Sequence, residues 1–107
     1  MQDCIFCKIA HKEIPKEFTY ENDDIMVFPD IHPLRPIHLL IVPKNHIATF
    51  AHLTDDVLLG KIRKVIQQMI QDEKLEGRGY RIVVNGGGAQ AIDHLHFHLT
   101  GPWQKGA

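Results

Sequence analysis

The sequence lacks the features that define several large classes of protein. Its longest apolar run, Ile37–Val42, includes a histidine and is far short of the roughly 18–20 residues that a membrane-spanning helix needs. The 12 basic residues are balanced by 13 acidic ones, so no positive excess draws the chain to nucleic acid. No basic cluster followed by an apolar stretch opens the chain. We therefore expect no secretory signal and, by default, a cytoplasmic location.

Cysteine is also scarce, and the two that occur, Cys4 and Cys7, are spaced as C-x-x-C. In a cytosolic chain such a pair indicates metal or redox chemistry before a structural disulfide. A redox pair usually accompanies a thioredoxin-like βαβ pattern, which this sequence does not show. Two reduced, inert thiols are the remaining alternative.

The composition is that of an ordinary folded protein of 107 residues, with 44% hydrophobic and 23% charged side chains. The length predicts one domain, 1–107. Apolar residues at helical spacing predict one long helix, Thr54–Glu76, with Thr54 as N-cap and with Gly77 and Gly79 as the stop. Cys4–Ala10 is predicted to be a short helix or turn. The predicted strands are Phe18–Glu21, Ile25–Phe28, Ile37–Val42, Tyr80–Val84 and Leu95–Leu99. This order predicts an α+β fold with the helix packed on a mainly antiparallel sheet.

Histidine is abundant, with eight in the chain, and His94, His96 and His98 alternate near the C-terminal end. In a strand, residues two apart point to the same side, so the three imidazoles should share one face. Leu95, Phe97 and Leu99 should then pack on the other face. The histidine face has three interpretations: an exposed polar surface, a metal site, or a catalytic site whose side chains titrate near neutrality.

The histidine segment resembles the signature of the histidine-triad (HIT) nucleotide hydrolases and transferases. Other stretches resemble the Hint-like branch in the same order along nearly the whole chain. They are Ile5–Ile9, Lys12–Pro15, Val27–Pro33, Pro36–His46 and Gly79–Arg81, followed by Asn85 and Gln90. The resemblance implies a HIT-like fold and cleavage of nucleoside 5′-phosphoramidates or related nucleotidyl conjugates. It also implies a purine nucleotide substrate and a homodimer whose sheet continues across the interface.

The resemblance also implies roles for individual residues. His96 is the nucleophile that forms a covalent nucleotidyl intermediate, and neutral imidazole is chemically competent for that step. His98 contacts the phosphate or the leaving group, and His38 and His94 complete the catalytic histidines. Asp30 accepts hydrogen bonds from the ribose hydroxyls, which suits an ionised carboxylate. The remaining predicted nucleotide contacts are Phe6, Ile9, Phe28, Ile31, Leu40, Asn85 and Gln90. Each of these residues also has a purely structural interpretation. His38 could be a buried core histidine, Asp30 could form a turn, and the apolar residues could belong to the hydrophobic core.

A structural zinc ion is the cofactor that the resemblance implies, and no organic cofactor is expected. Its ligands would be Cys4, Cys7, His46 and His94, a filled four-ligand set. His96 and His98 would stay free for chemistry.

Several residues depart from the family pattern. Ala91 stands where Ser or Thr is common, so one phosphate hydrogen bond should be missing, and the loop Asn85–Gln90 is short. Asp93 replaces a common apolar or aromatic residue, and Trp103 is expected at a dimer interface or beside the partner's site. Two alternative functions stay open: a dinucleoside polyphosphate hydrolase, and a zinc-stabilised nucleotide-binding module with little turnover.

Overall fold

The computed structural model describes residues 4–106, which form a five-stranded antiparallel sheet and two α-helices. Met1 to Asp3, on which the expectation of no secretory signal partly rests, lie outside the described residues. The sheet order is β1-β2-β3-β5-β4. The elements are α1 (Ile5–Ala10), β1 (Tyr20–Glu21), β2 (Ile25–Pro29), β3 (Ile37–Pro43), a 3₁₀ turn (Phe50–His52), α2 (Asp56–Asp72), β4 (Arg81–Val84) and β5 (Phe97–Gly101). The predicted α+β architecture is confirmed.

Helix α2 covers one face of the sheet with the apolar stripe that the sequence predicts. Its buried residues pack with alternate residues of β2, β3 and β5, including Leu95, Phe97 and Leu99. The N-cap is Asp55 rather than Thr54, because the Asp55 carboxylate accepts the Leu58 N–H at 3.0 Å. This carboxylate lies at the positive end of the helix dipole.

Helix α2 ends at Asp72, four residues before the predicted Glu76. Lys74 adopts φ +56°, its N–H donates to the Gln71 carbonyl, and the Leu75 N–H donates to the Ile70 carbonyl. These two bonds are the Schellman arrangement, with a lysine where glycine is usual. Burial of Leu75 against Ile70 in the core accompanies the turn. The prediction that Gly77 and Gly79 stop the helix is therefore wrong.

The opposite face of the sheet carries the short helix α1. Phe6 and Ile9 of α1 pack with Met26, Phe28, Leu40 and Val42, which alternate with the residues facing α2. Strand residues of β3 therefore divide between two apolar clusters, one on each face. The histidines lie on the α1 face, beside this second cluster.

Strand β5 begins at Phe97, two residues later than predicted, so His94 and His96 precede it. The Leu95 N–H donates to the Ile47 carbonyl at 2.6 Å, which pairs this segment with a loop instead of a strand. The alternation still holds, because Leu95, Phe97 and Leu99 pack towards α2. Strands β4 and β5 are antiparallel, as expected for two strands joined by a glycine-rich loop.

Across residues 4–106 we find no helix with the length and apolar character needed to cross a bilayer.

Candidate functional site

Strands β3 and β5 are neighbours in the sheet, and this pairing brings two distant histidines together. Leu40 lies opposite His98, and His38 lies opposite Thr100, so both imidazoles project from the same face. Their rings meet with His38 Nε2 2.9 Å from His98 Nδ1. The sequence places these residues sixty positions apart, and only the strand order makes them partners.

His96 is held in one tautomer by the backbone beside it. Its Nδ1 lies 2.8 Å from the His94 carbonyl oxygen. A carbonyl only accepts, so Nδ1 carries the proton and the neutral ring keeps its lone pair on Nε2. The ring is buried, packs edge-on against Phe6 at 5.2 Å between centroids, and lies 5.0 Å from the His98 ring.

The tautomers of His38 and His98 follow from a chain of hydrogen bonds. The Leu34 N–H donates to His38 Nδ1 at 3.1 Å, so the proton of the neutral His38 ring is on Nε2. His38 Nε2–H therefore donates to His98 Nδ1. His98 is left with an N–H at Nε2 that no other described residue accepts. This series of hydrogen bonds therefore makes His98 a hydrogen-bond donor at its Nε2.

Asp30 stands at the end of this chain. One carboxylate oxygen accepts the His32 N–H at 2.8 Å, and the other lies 3.4 Å from His38 Nε2. Asp30 therefore forms the turn that the sequence suggested as an alternative, and its second oxygen remains close to the histidines. The pKa of His98 is lowered, chiefly by burial and further by neighbouring His96 and His38, while Asp30 opposes the shift.

A cavity of about 490 Å³ opens between α1 and these histidines. His96 and His98 line it on one side and apolar side chains line it on the other. Seven of the eight predicted nucleotide contacts also line it: Phe6, Ile9, Phe28, Asp30, Ile31, Leu40 and Asn85. The structure thus brings together residues that lie far apart in the sequence.

Gln90 is the predicted contact that does not line this cavity. Its side-chain amide donates to Asp93 at 2.8 Å and its carbonyl oxygen accepts the Gly88 N–H at 3.0 Å. Asp93, exposed and on the other side of the chain from His94, thus holds Gln90 in a local turn. Ala91 does line the cavity and offers no hydroxyl there.

Other lining residues were not predicted from the sequence. Ile92 continues the every-second-residue series of His94, His96 and His98, so the alternation could have identified it. Ile14 and Pro15 carry no such signal. They reach the cavity because α1 ends in a left-handed turn at Lys12, with φ +65°.

A second group of side chains lies behind the cavity, where Cys4, Cys7, His46 and His94 converge. All four ligand atoms lie within 4.8 Å of one another. His94 Nδ1 is 3.2 Å from Cys4 Sγ and 3.5 Å from Cys7 Sγ, and Cys7 Sγ is 3.3 Å from His46 Nδ1. In tetrahedral zinc coordination, bonds of about 2.3 Å to sulfur and about 2.0–2.1 Å to nitrogen put the two atoms about 3.5 Å apart.

The position of the proton on the His94 ring also suits metal binding. Its Nε2 lies 2.7 Å from the Pro43 carbonyl and must donate there, which leaves the Nδ1 lone pair directed at the thiols. Burial lowers the pKa of His94, so the ring is kept neutral. Burial and the adjacent Cys4 thiol raise the pKa of the Cys7 thiol to about 11. A bound cation would reverse that effect by stabilising the thiolate, so the four residues fit zinc.

Comparison with known proteins places this arrangement in a family. The profile described as "Scavenger mRNA decapping enzyme C-term binding" matches residues 3–107. Protein HitA of Neisseria gonorrhoeae is 40% identical over 105 residues, covering 94% of this chain and 97% of the relative. The crystal structure of a HIT family hydrolase from Legionella pneumophila is 44% identical, with a TM-score of 0.88 and 95% coverage of both chains.

The Legionella pneumophila structure has the same α+β fold as this chain, in which buried histidines lie along a cavity beside the antiparallel sheet. The chain belongs to the histidine-triad (HIT) family. The structure of a Zn-bound histidine triad family protein from Mycobacterium smegmatis is 27% identical, with a TM-score of 0.84 and coverage of 98% of this chain and 78% of that chain. That likeness and the Cys/His cluster are compatible with zinc.

Proposed function

We propose that this protein is a nucleotide hydrolase of the Hint type that cleaves nucleoside 5′-phosphoramidates or related nucleotidyl conjugates. The observation that carries the proposal is the bond between His96 Nδ1 and the His94 carbonyl. It leaves the nucleophilic lone pair of His96 on Nε2, in a residue that lines the cavity.

The same cavity suits a purine nucleoside. Phe6, Phe28 and Leu40 supply an apolar surface for the base, as in most small-molecule sites. In this proposal Asp30 supplies a carboxylate oxygen for the ribose hydroxyls, and Asn85, which lines the cavity together with His96 and His98, contacts the phosphate. In this proposal residues 1–107 form one HIT domain that acts as a homodimer in the cytoplasm.

The reaction has two displacements at phosphorus. His96 Nε2 attacks the α-phosphorus and forms a P–N bond, while the bond to the leaving nitrogen breaks and its electron pair stays on that nitrogen. A proton delivered from solvent through His98 completes the free amine. Water then attacks the phosphorus, the bond to His96 breaks, and the proton of the water returns to solvent through His98. One water is consumed, and a nucleoside monophosphate and an amine are formed.

His38 acts in this scheme through His98. By donating to His98 Nδ1, it keeps the other ring nitrogen of His98 as an N–H donor towards the phosphate. We therefore assign His38 as a positioning residue and His96 and His98 as the residues that touch the reacting groups.

We also propose that Cys4, Cys7, His46 and His94 hold a structural zinc ion. The four ligands leave no open coordination position, so the ion supplies stability and no reaction step. It would tie the start of α1 to the segment that carries His96. His94 thus serves catalysis indirectly, by accepting the His96 N–H at its carbonyl and binding the metal through its ring.

The test is hydrolysis of adenosine 5′-phosphoramidate by the wild type and by His96→Ala. We expect clear turnover that is lost in the variant, with equal zinc content and equal unfolding midpoints in both proteins. His11→Gln, at an exposed histidine that does not line the cavity, is the matched control and should keep full activity. A folded wild type that binds nucleotide but does not hydrolyse it, with binding unaltered in His96→Ala, would support the binding-module alternative.

A further inference from the structure

A second pocket of about 420 Å³ adjoins the nucleotide cavity at the triad. His98, Asn85, Asp30 and His32 line both spaces. With a nucleoside in the first cavity and its phosphate at His96 and His98, the second pocket receives whatever the phosphate is joined to. This reasoning rests on the proposed function.

The far wall of this pocket is formed by Arg81 and Trp103. Arg81 lies opposite Thr100 in the sheet, while Val83 lies opposite His98. Arg81 therefore lies on the same face of the sheet as His98, displaced by two residues, or about 7 Å, along the strand direction. A leaving group of a few atoms spans that distance.

The guanidinium groups of two arginines stack on the Trp103 ring. The Arg35 Cζ lies 3.7 Å and the Arg81 Cζ 3.8 Å from the Trp103 ring centroid. Two guanidinium groups this close to one centroid cannot share a ring face without overlapping, so Trp103 lies between them. Such stacking leaves the in-plane N–H groups of each arginine available for an anion.

The tryptophan is itself fixed in place. Its indole N–H donates to Thr100 Oγ1 at 2.9 Å, and its backbone N–H donates to the Gly79 carbonyl at 3.0 Å. Gly79 has φ +89°, and a Cβ there would lie 2.0 Å from the Trp103 carbonyl oxygen, so only glycine permits this approach. The platform for the two arginines is therefore built into the fold.

The two positive charges lack an acidic partner. Among residues 4–106 no ion pair involves Arg35 or Arg81, whereas Lys12, Lys44 and Lys61 each pair with a carboxylate. Arg35 Nε is buried and has no hydrogen-bond acceptor within the described part of the chain. Arg81 lines the pocket and has no ion-pair partner among the described residues, so its guanidinium is suited to bind a carboxylate or a phosphate there.

We propose that Arg81, stacked on Trp103 and reinforced by Arg35, binds a negatively charged group on the leaving side of the substrate. The protein then prefers conjugates whose leaving group carries a carboxylate or a phosphate over neutral ones.

The test compares two adenosine 5′-phosphoramidates of one amino acid, with either a free carboxylate or a carboxamide. We expect wild-type kcat/KM to favour the carboxylate by about tenfold, the low end for a charge-assisted bond at an exposed arginine. Arg81→Gln should reduce this preference to less than about twofold and leave the carboxamide rate nearly unchanged. Arg35→Gln should have a smaller effect in the same direction.

The matched control is Arg63→Gln, on the exposed side of α2 across the sheet, which should preserve the preference. An equal loss on both substrates in Arg81→Gln would show a merely structural role and overturn the proposal. Equal wild-type rates on both substrates would also overturn it. A diadenosine polyphosphate forms the other arm: a larger Arg81→Gln loss there than on the carboxylate identifies phosphate as the preferred group.

Binding of the same two amino-acid conjugates to His96→Ala measures the pocket without turnover. Tighter binding of the carboxylate there, abolished by adding Arg81→Gln, would support the anion pocket even if the wild type hydrolysed neither compound. That result would contradict only the proposed hydrolase. Equal affinities for both compounds would contradict the anion pocket.

Discussion

Two groups of side chains in this protein have their potential ligand atoms close enough together to hold a metal ion. They differ in their hydrogen bonds to the backbone: in one group a histidine donates to a backbone carbonyl, and in the other a histidine accepts from a backbone N–H. One is Cys4, Cys7, His46 and His94, and the other is Asp30, His38 and His98. In the first group, His94 donates its proton away to Pro43 and turns a lone pair inward. In the second, the Leu34 N–H occupies the only lone pair of His38, which turns an N–H inward.

The difference shows that distance alone does not separate a metal site from a proton-handling site. A metal needs lone pairs, so the first group fits zinc and the second does not as long as His38 is neutral. The second group instead passes a hydrogen-bond donor to His98 at the cavity. A single backbone contact to each imidazole decides which role it has.

Removing a thiol from the first group is expected to have the largest effect. Cys7→Ser should abolish zinc binding and lower the free energy of unfolding by several kcal/mol, since zinc binding supplies about 10–16 kcal/mol in zinc-finger peptides. Metal analysis and urea unfolding measure the two quantities, with His11→Gln as control. Unchanged zinc content and unchanged stability in Cys7→Ser would contradict the conclusion that the first group, unlike the second, binds zinc.

Removing the donor from the second group should affect turnover. His38→Ala is expected to lower kcat by about 10- to 100-fold, the range that follows the loss of a residue orienting a ligand histidine in metal sites. His38→Gln can still donate to His98 and should recover much of that loss, which a purely space-filling role for His38 does not predict. The comparison fails if Ala and Gln at this position behave alike at equal zinc content.

The lowered pKa of His98 predicts a smaller effect on stability. The unfolded chain binds a proton at His98 as the pH falls below its ordinary pKa of 6.5, while the folded protein resists protonation. The unfolded state then holds more protons, so stability falls as the pH drops through this window, by at most about 1.4 kcal/mol per pH unit. His98→Asn should reduce the slope. Urea unfolding between about pH 5 and 7 measures it, and an equal slope in both proteins would contradict the shift.

The last prediction is that zinc stoichiometry does not change when the second group loses its carboxylate. Asp30→Asn removes the carboxylate of the second group and should leave zinc at one ion per chain, because the neutral His38 and His98 offer no converging lone pairs. Titration with zinc followed by metal analysis measures the stoichiometry. Two tightly bound ions in the wild type and one in Asp30→Asn would show that the second group also binds metal.

Much of the fold could be predicted because local patterns determine it. The stripe Ile62–Ile70 predicted the buried face of α2, and the β-branched run Ile37–Val42 predicted β3. The ends were less predictable. Helix α2 stops at Asp72 because Lys74 takes a left-handed conformation, which becomes favourable only when Leu75 finds the core. β5 starts late because Leu95 pairs with Ile47, a contact between distant segments.

For the candidate site, the sequence by itself determined which residues are chemically capable: the C-x-x-C pair, the alternating histidines and the acid at position 30. Alternation also determined that Leu95, Phe97 and Leu99 turn away from the imidazoles. Tertiary structure alone decided that Gln90 folds onto Asp93, that Arg81 stacks on Trp103, and which nitrogen of each histidine carries the proton. The reason is physical: a tautomer depends on the donor or acceptor that lies beside each ring nitrogen, and those groups come from Pro43, Leu34 and His94 only after the strands have paired.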